Sequence, residues 1–409
     1  MAKIKPFKAL RPNAEVVSKV AALPYDVYSS KEAREVVKDN ELSFLNIDRA
    51  ETQFPEDVDI YSDAVYQKAH DLLWDDVEKG IFLQDQAESF YIYEQKMGDR
   101  TQTGIVALSS IDDYVSGVIK KHENTREEKE LDRIKHVDVC NAQTGPIFLC
   151  YRQDNAIDEI VENVKKTEPV YSFESEGNVY NRVWIIADSQ DVEKITSVFS
   201  KMDHTYIADG HHRCASAVKV GLKRREENPG KELESDYFLS VLFPDNQLMI
   251  MDYNRVVKDL NGLRPDLFLS RMKEKFVVTE SDTPVKPNKK GIFGMYLDEK
   301  WYILEATSDI IDIDVVERLD VSVLQNEVLH PILGIGDPRT DKRIDFIGGI
   351  RGLSELEKRC HEDMRVAFSL CPTSIEELFA VADAGRLMPP KSTWFEPKLL
   401  SGMFIHSLS

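Results

Sequence analysis

The sequence predicts an α+β fold, and three observations carry that prediction. Strand-like apolar runs lie next to each other with short polar turns between them: Phe90 to Gln95, then Gly98-Asp99, then Gln102 to Leu108, a pattern that reads as a hairpin. Residues 57–80 hold Ile60, Ala64, Ala69, Leu72, Leu73 and Val77 at helical spacing, the signature of an amphipathic helix. At 204–208 an apolar strand runs into Asp209-Gly210 and then into the helix formers 215–220, a strand, turn and helix in succession.

In chain order, Ile4 to Pro12 is extended between two prolines and reads as an edge strand. Pro24 holds Leu23 extended, and Tyr25-Asp26-Val27-Tyr28 forms a short turn before a helix over 31–40. Ser43 to Asp48 alternates apolar and polar residues, as a half-buried strand does. A charged helix covers 127–136, with Asp132-Arg133 as an exposed pair on it. Strands at 147–151, 170–174 and 180–187 alternate with helices at 155–165 and 192–202. Residues 238–243 and 248–251 suggest a hairpin around Asp245-Asn246. Beyond 262 come a helix at 267–276, a Pro/Lys linker at 283–290, strands at 291–296 and 301–305, helices at 315–329 and 373–384, and a strand at 344–349. The expected organisation is a core over 1–261, a smaller α+β lobe or lid over 262–314, and C-terminal helices and a tail over 315–409 that dock back through Trp394, Phe395, Met403, Phe404 and Ile405.

The 409 residues are 42% hydrophobic and 30% charged, the balance of a globular protein. The net charge of −20 argues against a general duplex-DNA binder, which shows a basic stripe. Five cysteines are scattered with no C-x-x-C pair, which excludes a zinc spacing and a secreted disulfide framework. The first residues lack the apolar stretch of a signal peptide, and no run is long enough to span a membrane. The expectation is a cytoplasmic protein with no membrane partner and no bulk nucleic-acid partner.

Chemistry concentrates in the turn Asp209-Gly210-His211-His212-Arg213. A helix N-terminus offers unpaired N–H groups and partial positive charge to an anion. Gly210 admits a close approach of ligand to backbone, and Arg213 can fork onto a phosphate or carboxylate. The turn therefore reads as a phosphate-binding site, or more simply as a capped helix with solvated polar residues. A second cluster is Lys121-His122-Glu123-Asn124-Thr125. Thr125 with Glu128 fits a capping box, whereas Glu123 is a candidate general base. Asp26 is a candidate metal ligand or base, or else the cap of the next helix. In the tail, Lys391, Ser392, Thr393 and Lys398 either reach a bound phosphate or stay solvated. The glycine-rich loop at 334–339 lacks the Lys-Ser/Thr pair of a P-loop. Cys214 reads as a packed core residue.

Four segments together, Leu23 to Val27, Lys121 to Thr125, Ala208 to Arg213 and Pro390 to Lys398, resemble the family catalogued as domain of unknown function 1015, in the family's order and over nearly the whole chain. The 209–213 motif is also similar to the ParB/sulfiredoxin-like superfamily, where such a turn cradles nucleotide phosphates. That superfamily includes free L-serine kinases, which make O-phosphoserine from ADP or ATP. The resemblance implies a ParB/sulfiredoxin-like mixed-sheet core elaborated with extra hairpins and helices. It also implies a phosphotransferase with an alcohol acceptor in amino-acid metabolism, with L-serine and a nucleotide as ligands and ATP (or ADP) with Mg2+ as cofactors.

On that reading Gly210, His211, His212, Arg213, Thr125, Lys391, Ser392 and Lys398 hold the nucleotide. Asp209 holds Mg2+, and Glu123, or failing it Asp26, takes the hydroxyl proton, with His122 beside it. Arg11 or Arg133 would meet the serine carboxylate. The other reading is a CTP- or ATP-binding regulatory ParB-like protein without kinase activity, and a phosphatase running the reverse reaction is a third. The resemblance leaves a homodimer open. The chain is much longer than a minimal ParB-like domain, and its turn has no reactive cysteine, which sets sulfiredoxin chemistry aside.

Overall fold

The computed structural model describes residues 1–308 and 314–409. The last residues of the expected 262–314 lobe, 309–313, lie outside the described residues. The chain has a mixed α+β fold divided into two compact units: Met1–Lys121 with Thr125–Leu248 and Pro397–Ser409, and His122–Asn124 with Met249–Glu396.

The first unit is built on a nine-stranded mixed sheet. Its order is Ile119–Lys120, Thr205–Asp209, Ile147–Tyr151, Tyr237–Pro244, Arg100–Ser110, Phe90–Met97, Val179–Ile186 and Tyr171–Ser175, with Ile4–Lys5 added against Arg100–Ser110. Two pairings are parallel, Thr205–Asp209 with Ile119–Lys120 and Tyr237–Pro244 with Ile147–Tyr151. The period-2 alternation of strands sorts the side chains. Phe90, Ile92, Ile105, Ala107, Ile147, Leu149 and Tyr151 share one core with Ile157, Ile195, Phe199, Cys214 and Ala217 from the helices.

Tyr91 and Tyr93 alternate with Phe90 and Ile92 and pack against Phe404, at ring-centroid distances of 5.3 and 6.1 Å. Residues Pro397–Ser409 are held to the unit by more than apolar contact. Gln95 Nε2 donates to the Lys398 carbonyl (2.9 Å) and Gln102 Nε2 to the Pro397 carbonyl (3.3 Å). A second core joins the helices Ser30–Val37 and Asp63–Glu78 to Ile405.

The second unit carries a six-stranded antiparallel sheet in the order Phe276–Ser281, Lys300–Ala306, Ile292–Leu297, Val366–Ser369, Tyr253–Val257 and Ile344–Gly348. Val256, Tyr296, Trp301 and Ile347 pack with Leu356 of the helix Leu353–Glu362.

Three local expectations are corrected. Residues 43–48 are not a strand: Leu45–Asp48 is a helical turn with all four side chains buried, so the alternation there does not separate a wet face from a dry one. Residues 238–243 and 248–251 do not pair. Tyr237–Pro244 has both edges taken by Arg100–Ser110 and Ile147–Tyr151, and Ile250–Met251 pairs with Trp394–Phe395. The helix expected over 315–329 is a short α-helix, Asp320–Leu324, that widens into π geometry at Gln325–Leu329.

Because Phe404 is fully buried against two tyrosines, Phe404→Ala should cost about 3–5 kcal/mol. Urea unfolding of the two proteins, followed by tryptophan fluorescence, measures it.

Candidate functional site

The strand Thr205–Asp209 pairs antiparallel with Ile147–Tyr151, and its register shifts between Ile207 and Asp209. Gly210 then takes a left-handed conformation (φ 89°) and begins the helix His211–Glu227, whose N-terminus no side chain caps. The conformation is one that glycine adopts without a Cβ penalty. A Cβ there would also stand 3.0–3.1 Å from the Arg213 guanidinium, so the glycine lets Arg213 fold back over the turn. Arg213 Nη1 donates to the Pro146 carbonyl at 2.7 Å, and Nη2 lies 3.5 Å from Asp209 Oδ2. Lys398 Nζ reaches the same Asp209 oxygen at 3.6 Å. Burial pushes the Asp209 carboxyl up, but Lys398, Arg213 and His211 outweigh it and hold the pKa at about 2. The turn thus presents two cations fixed by one carboxylate.

His211 is buried. His212 is half-buried, and its Nε2 accepts the backbone N–H of Arg126 at 2.9 Å, an orphan donor near the start of the helix Glu127–Cys140. Thr125 does not cap that helix through Glu128; Arg126 is its N-cap, and the Thr125 hydroxyl bonds Glu130. The carboxylate of Glu130 also pairs with Lys219, and its carbonyl accepts from Ser216 at 3.1 Å. The His212 imidazole is pushed below its ordinary pKa, first by burial and then by Lys129 and Arg126, against Glu130 and Asp26. It is therefore the neutral acceptor that the Arg126 N–H requires.

Asp26 is exposed on the turn Tyr25–Val27. It does not cap the next helix, because Ser29 and Glu32 form the capping box there. Asp26 instead lines a cleft of about 790 Å³, open to solvent, together with Tyr25, Asp48, Tyr61, Lys129 and Arg133. A second, narrow cavity shares Tyr25, Asp48, Arg133 and His136 with the cleft and adds Thr144, Gly145, Arg213 and Ser401. Tyr25 lines both, within the fields of Arg133 and Arg213. Burial raises its phenol to about 12, with Arg133 and Arg213 opposing and Asp26 assisting.

Arg133 and Asp132 are not an exposed pair. Arg133 is 8% exposed, its Nε donates to Asp132 Oδ2 at 2.8 Å, and its guanidinium carbon lies 4.0 Å from the Tyr25 ring centroid. Glu130, Arg133, His136 and Cys140 form the buried stripe of their helix. That i, i+3, i+6, i+10 spacing was a usable signal, hidden because three of the four residues are polar. Arg11, by contrast, is fully engaged. It forks onto Asp85 at 2.7 and 2.6 Å and donates to the Tyr171 hydroxyl at 2.7 Å. Cys214 is fully buried, and burial raises its thiol pKa.

The first unit thus holds Asp26, Thr125, Asp209, Gly210, His211, His212, Arg213 and Lys398. The second holds His122, Glu123, Lys391 and Ser392. In the second unit His122 is buried, its Nε2 is 3.4 Å from Thr393 Oγ1, and its carbonyl accepts the Met388 N–H at 2.7 Å. Glu123 is half-buried in the same short loop. Lys391 has a left-handed backbone (φ 59°), and its carbonyl accepts from Arg255 Nη2 at 2.9 Å. The Ser392 hydroxyl donates to the Pro389 carbonyl at 2.6 Å. Among the described residues no three His, Cys, Asp or Glu side chains converge as a metal cage. Asp209 is already matched by two cations, so the turn does not by itself fit a Mg2+ ion.

The family described as a protein of unknown function, DUF1015, matches residues 4–322. The chain belongs to that family. No curated protein matches it. Among solved structures it is similar to a mutant free serine kinase in complex with AMP, at 15% identity over 71% of this chain and 86% of that one, with a TM-score of 0.37. It is similar to a conserved hypothetical protein from Pyrococcus furiosus at 17% identity, over 72% and 92% of the two chains, with a TM-score of 0.34. It is also similar to C-terminally truncated SbnI from Staphylococcus aureus at 13% identity, over 72% and 85%, with a TM-score of 0.38. Among the described residues no helix is long and apolar enough to cross a membrane.

The His212 geometry has a pH signature. With its folded pKa depressed below the unfolded value of about 6.5, the unfolded chain takes up the proton first. The stabilisation is complete above that value and is lost as the pH falls through the folded one. His212→Leu should cost about 1 kcal/mol at pH 7.5, and the gap to the native protein should shrink at pH 5. Urea titrations at the two pH values check this.

Proposed function

We propose that this protein is a phosphotransferase that moves a phosphoryl group from ATP or ADP to the hydroxyl of free L-serine, giving O-phosphoserine. The observation that carries the reading is the uncapped helix N-terminus behind left-handed Gly210, with Arg213 and Lys398 gathered on Asp209. A phosphoryl group in transfer needs positioning and charge neutralisation more than covalent help. Open N–H groups and two fixed cations offer both. The cleft that begins at Asp26 and Arg133 is of the size small ligands occupy.

In the reaction the serine Oγ attacks the terminal phosphorus, the bond to the bridging oxygen of the nucleotide breaks, and the hydroxyl proton passes to a carboxylate. Two acids are offered for that proton. Asp26 lines the cleft of the first unit and has no cap to serve. Glu123 comes from the cluster that the family resemblance singles out, together with His122. Lys391 and Ser392 are assigned to the nucleotide on the same resemblance. Mg2+, where used, would neutralise phosphate charge and be carried by the nucleotide, since that ion keeps waters and needs only one or two protein oxygens. Asp209 orients Arg213 and Lys398 in either case.

The test is a coupled assay of the purified protein with L-serine and ATP, ADP or CTP, following O-phosphoserine. Product with ATP or ADP is expected. Nucleotide binding with no transfer to serine would defeat the proposal and favour a nucleotide-dependent regulator. Glu123→Gln should cut turnover about a hundredfold or more while nucleotide binding survives. If its turnover is near normal, the base is Asp26, and Asp26→Asn should show the loss instead. Arg213→Lys keeps the charge but not the fork, and should weaken nucleotide binding about tenfold, read by calorimetry.

A further inference from the structure

The shared wall of the cleft and the second cavity holds two buried opposite charges, Arg133 and Asp48, whose hydrogen-bonding capacity is only partly used. Arg133 is more than nine-tenths buried and its Nε donates to Asp132, while among the described residues Nη1 and Nη2 make no hydrogen bond and are not sealed from solvent. The ring of Tyr25 covers the guanidinium at 4.0 Å. Asp48 is 4% exposed; its Oδ1 accepts from Thr144 Oγ1 at 2.9 Å and lies 4.0 Å from His136 Nε2, and among the described residues its Oδ2 accepts no hydrogen bond. Asp48 and Arg133 line both cavities and sense each other's charge without forming an ion pair. His136 is held near neutral, by burial first and then by Arg133, and its Nε2 faces the Ile47 carbonyl at 3.2 Å.

Buried charged groups ordinarily have partners. A guanidinium with two idle donors beside a carboxylate with an idle oxygen wants a ligand carrying both complementary charges. We propose that Arg133 and Asp48 form the dock for a zwitterionic α-amino acid, Arg133 forking onto the carboxylate and Asp48 receiving the ammonium. The inference rests on the acceptor class proposed above and adds which residues select it. Arg11, the other cation weighed for the carboxylate, is excluded by its fork onto Asp85. The open cleft of about 790 Å³, which both residues line, has room for an amino acid, and the narrower cavity behind the same wall is also lined by Arg213 of the helix that begins at Gly210.

The test uses the whole native protein and calorimetric titration with L-serine, ethanolamine, which lacks the carboxylate, and 3-hydroxypropionate, which lacks the ammonium. L-serine should bind, and each analogue on the order of ten- to a hundredfold more weakly, the scale of one charge-assisted contact. Arg133→Lys should raise the serine Kd by about tenfold or more and leave the nucleotide Kd unchanged. The analogue series needs no variant, so the test stands even if Arg133→Lys folds poorly. Equal binding of serine and either analogue, or no binding of any of the three, overturns the dock. Selective binding of serine without phosphoryl transfer keeps the dock and sinks the kinase reading. Transfer to ethanolamine as readily as to serine does the reverse.

Discussion

A single left-handed residue, Gly210, sets the geometry on which the site of the first unit depends. A side chain there would occupy the space of the Arg213 guanidinium. Without one, Arg213 lies back across the turn, reaches the Pro146 carbonyl, and meets Asp209 together with Lys398. The carboxylate is one-third exposed, but its two cations keep it ionised far into acid. The cations in turn are held in place by a charge that does not leave, so the arrangement is preorganised rather than assembled when a ligand arrives.

The same economy governs the helix Glu127–Cys140. Its buried stripe consists of Glu130, Arg133, His136 and Cys140 where an ordinary amphipathic helix would bury aliphatic side chains. Glu130 is satisfied by Lys219 and Thr125. His212 from the neighbouring helix accepts the backbone N–H of Arg126. His136 is kept neutral against the Ile47 carbonyl. Arg133 gives its Nε to Asp132 and lines both cavities.

The interpretable parts of the sequence were the local ones. The hairpin over 90–108 is written in adjacent residues, with both strands and their turn contiguous. So is the strand, glycine and helix over 205–227, because a turn dipeptide and helix formers act within a few residues of themselves. Asp48 sits in a helical turn and not a strand; four consecutive buried residues can mimic strand alternation when both sides are covered. An exposed Arg133 is what the sequence leads one to expect, because a charged residue on a charged helix is usually solvated. Nothing within its own helix reveals that Tyr25, about a hundred positions earlier in the chain, lies over it.

What the sequence determined by itself is the mixed α+β character, the strand, glycine turn and helix around 209–213, and the family resemblance carried by four short motifs. These depend on residue type and spacing over distances the chain spans locally. Only the tertiary structure decided that Lys398 meets Asp209, that Arg11 forks onto Asp85 while Arg133 meets Asp132 through Nε, and that Asp48 shares a cavity wall with Arg133. The physical reason is that a buried charge is defined by its partners, and these partners come from segments remote in sequence, so neither their presence nor their absence can be read along the chain.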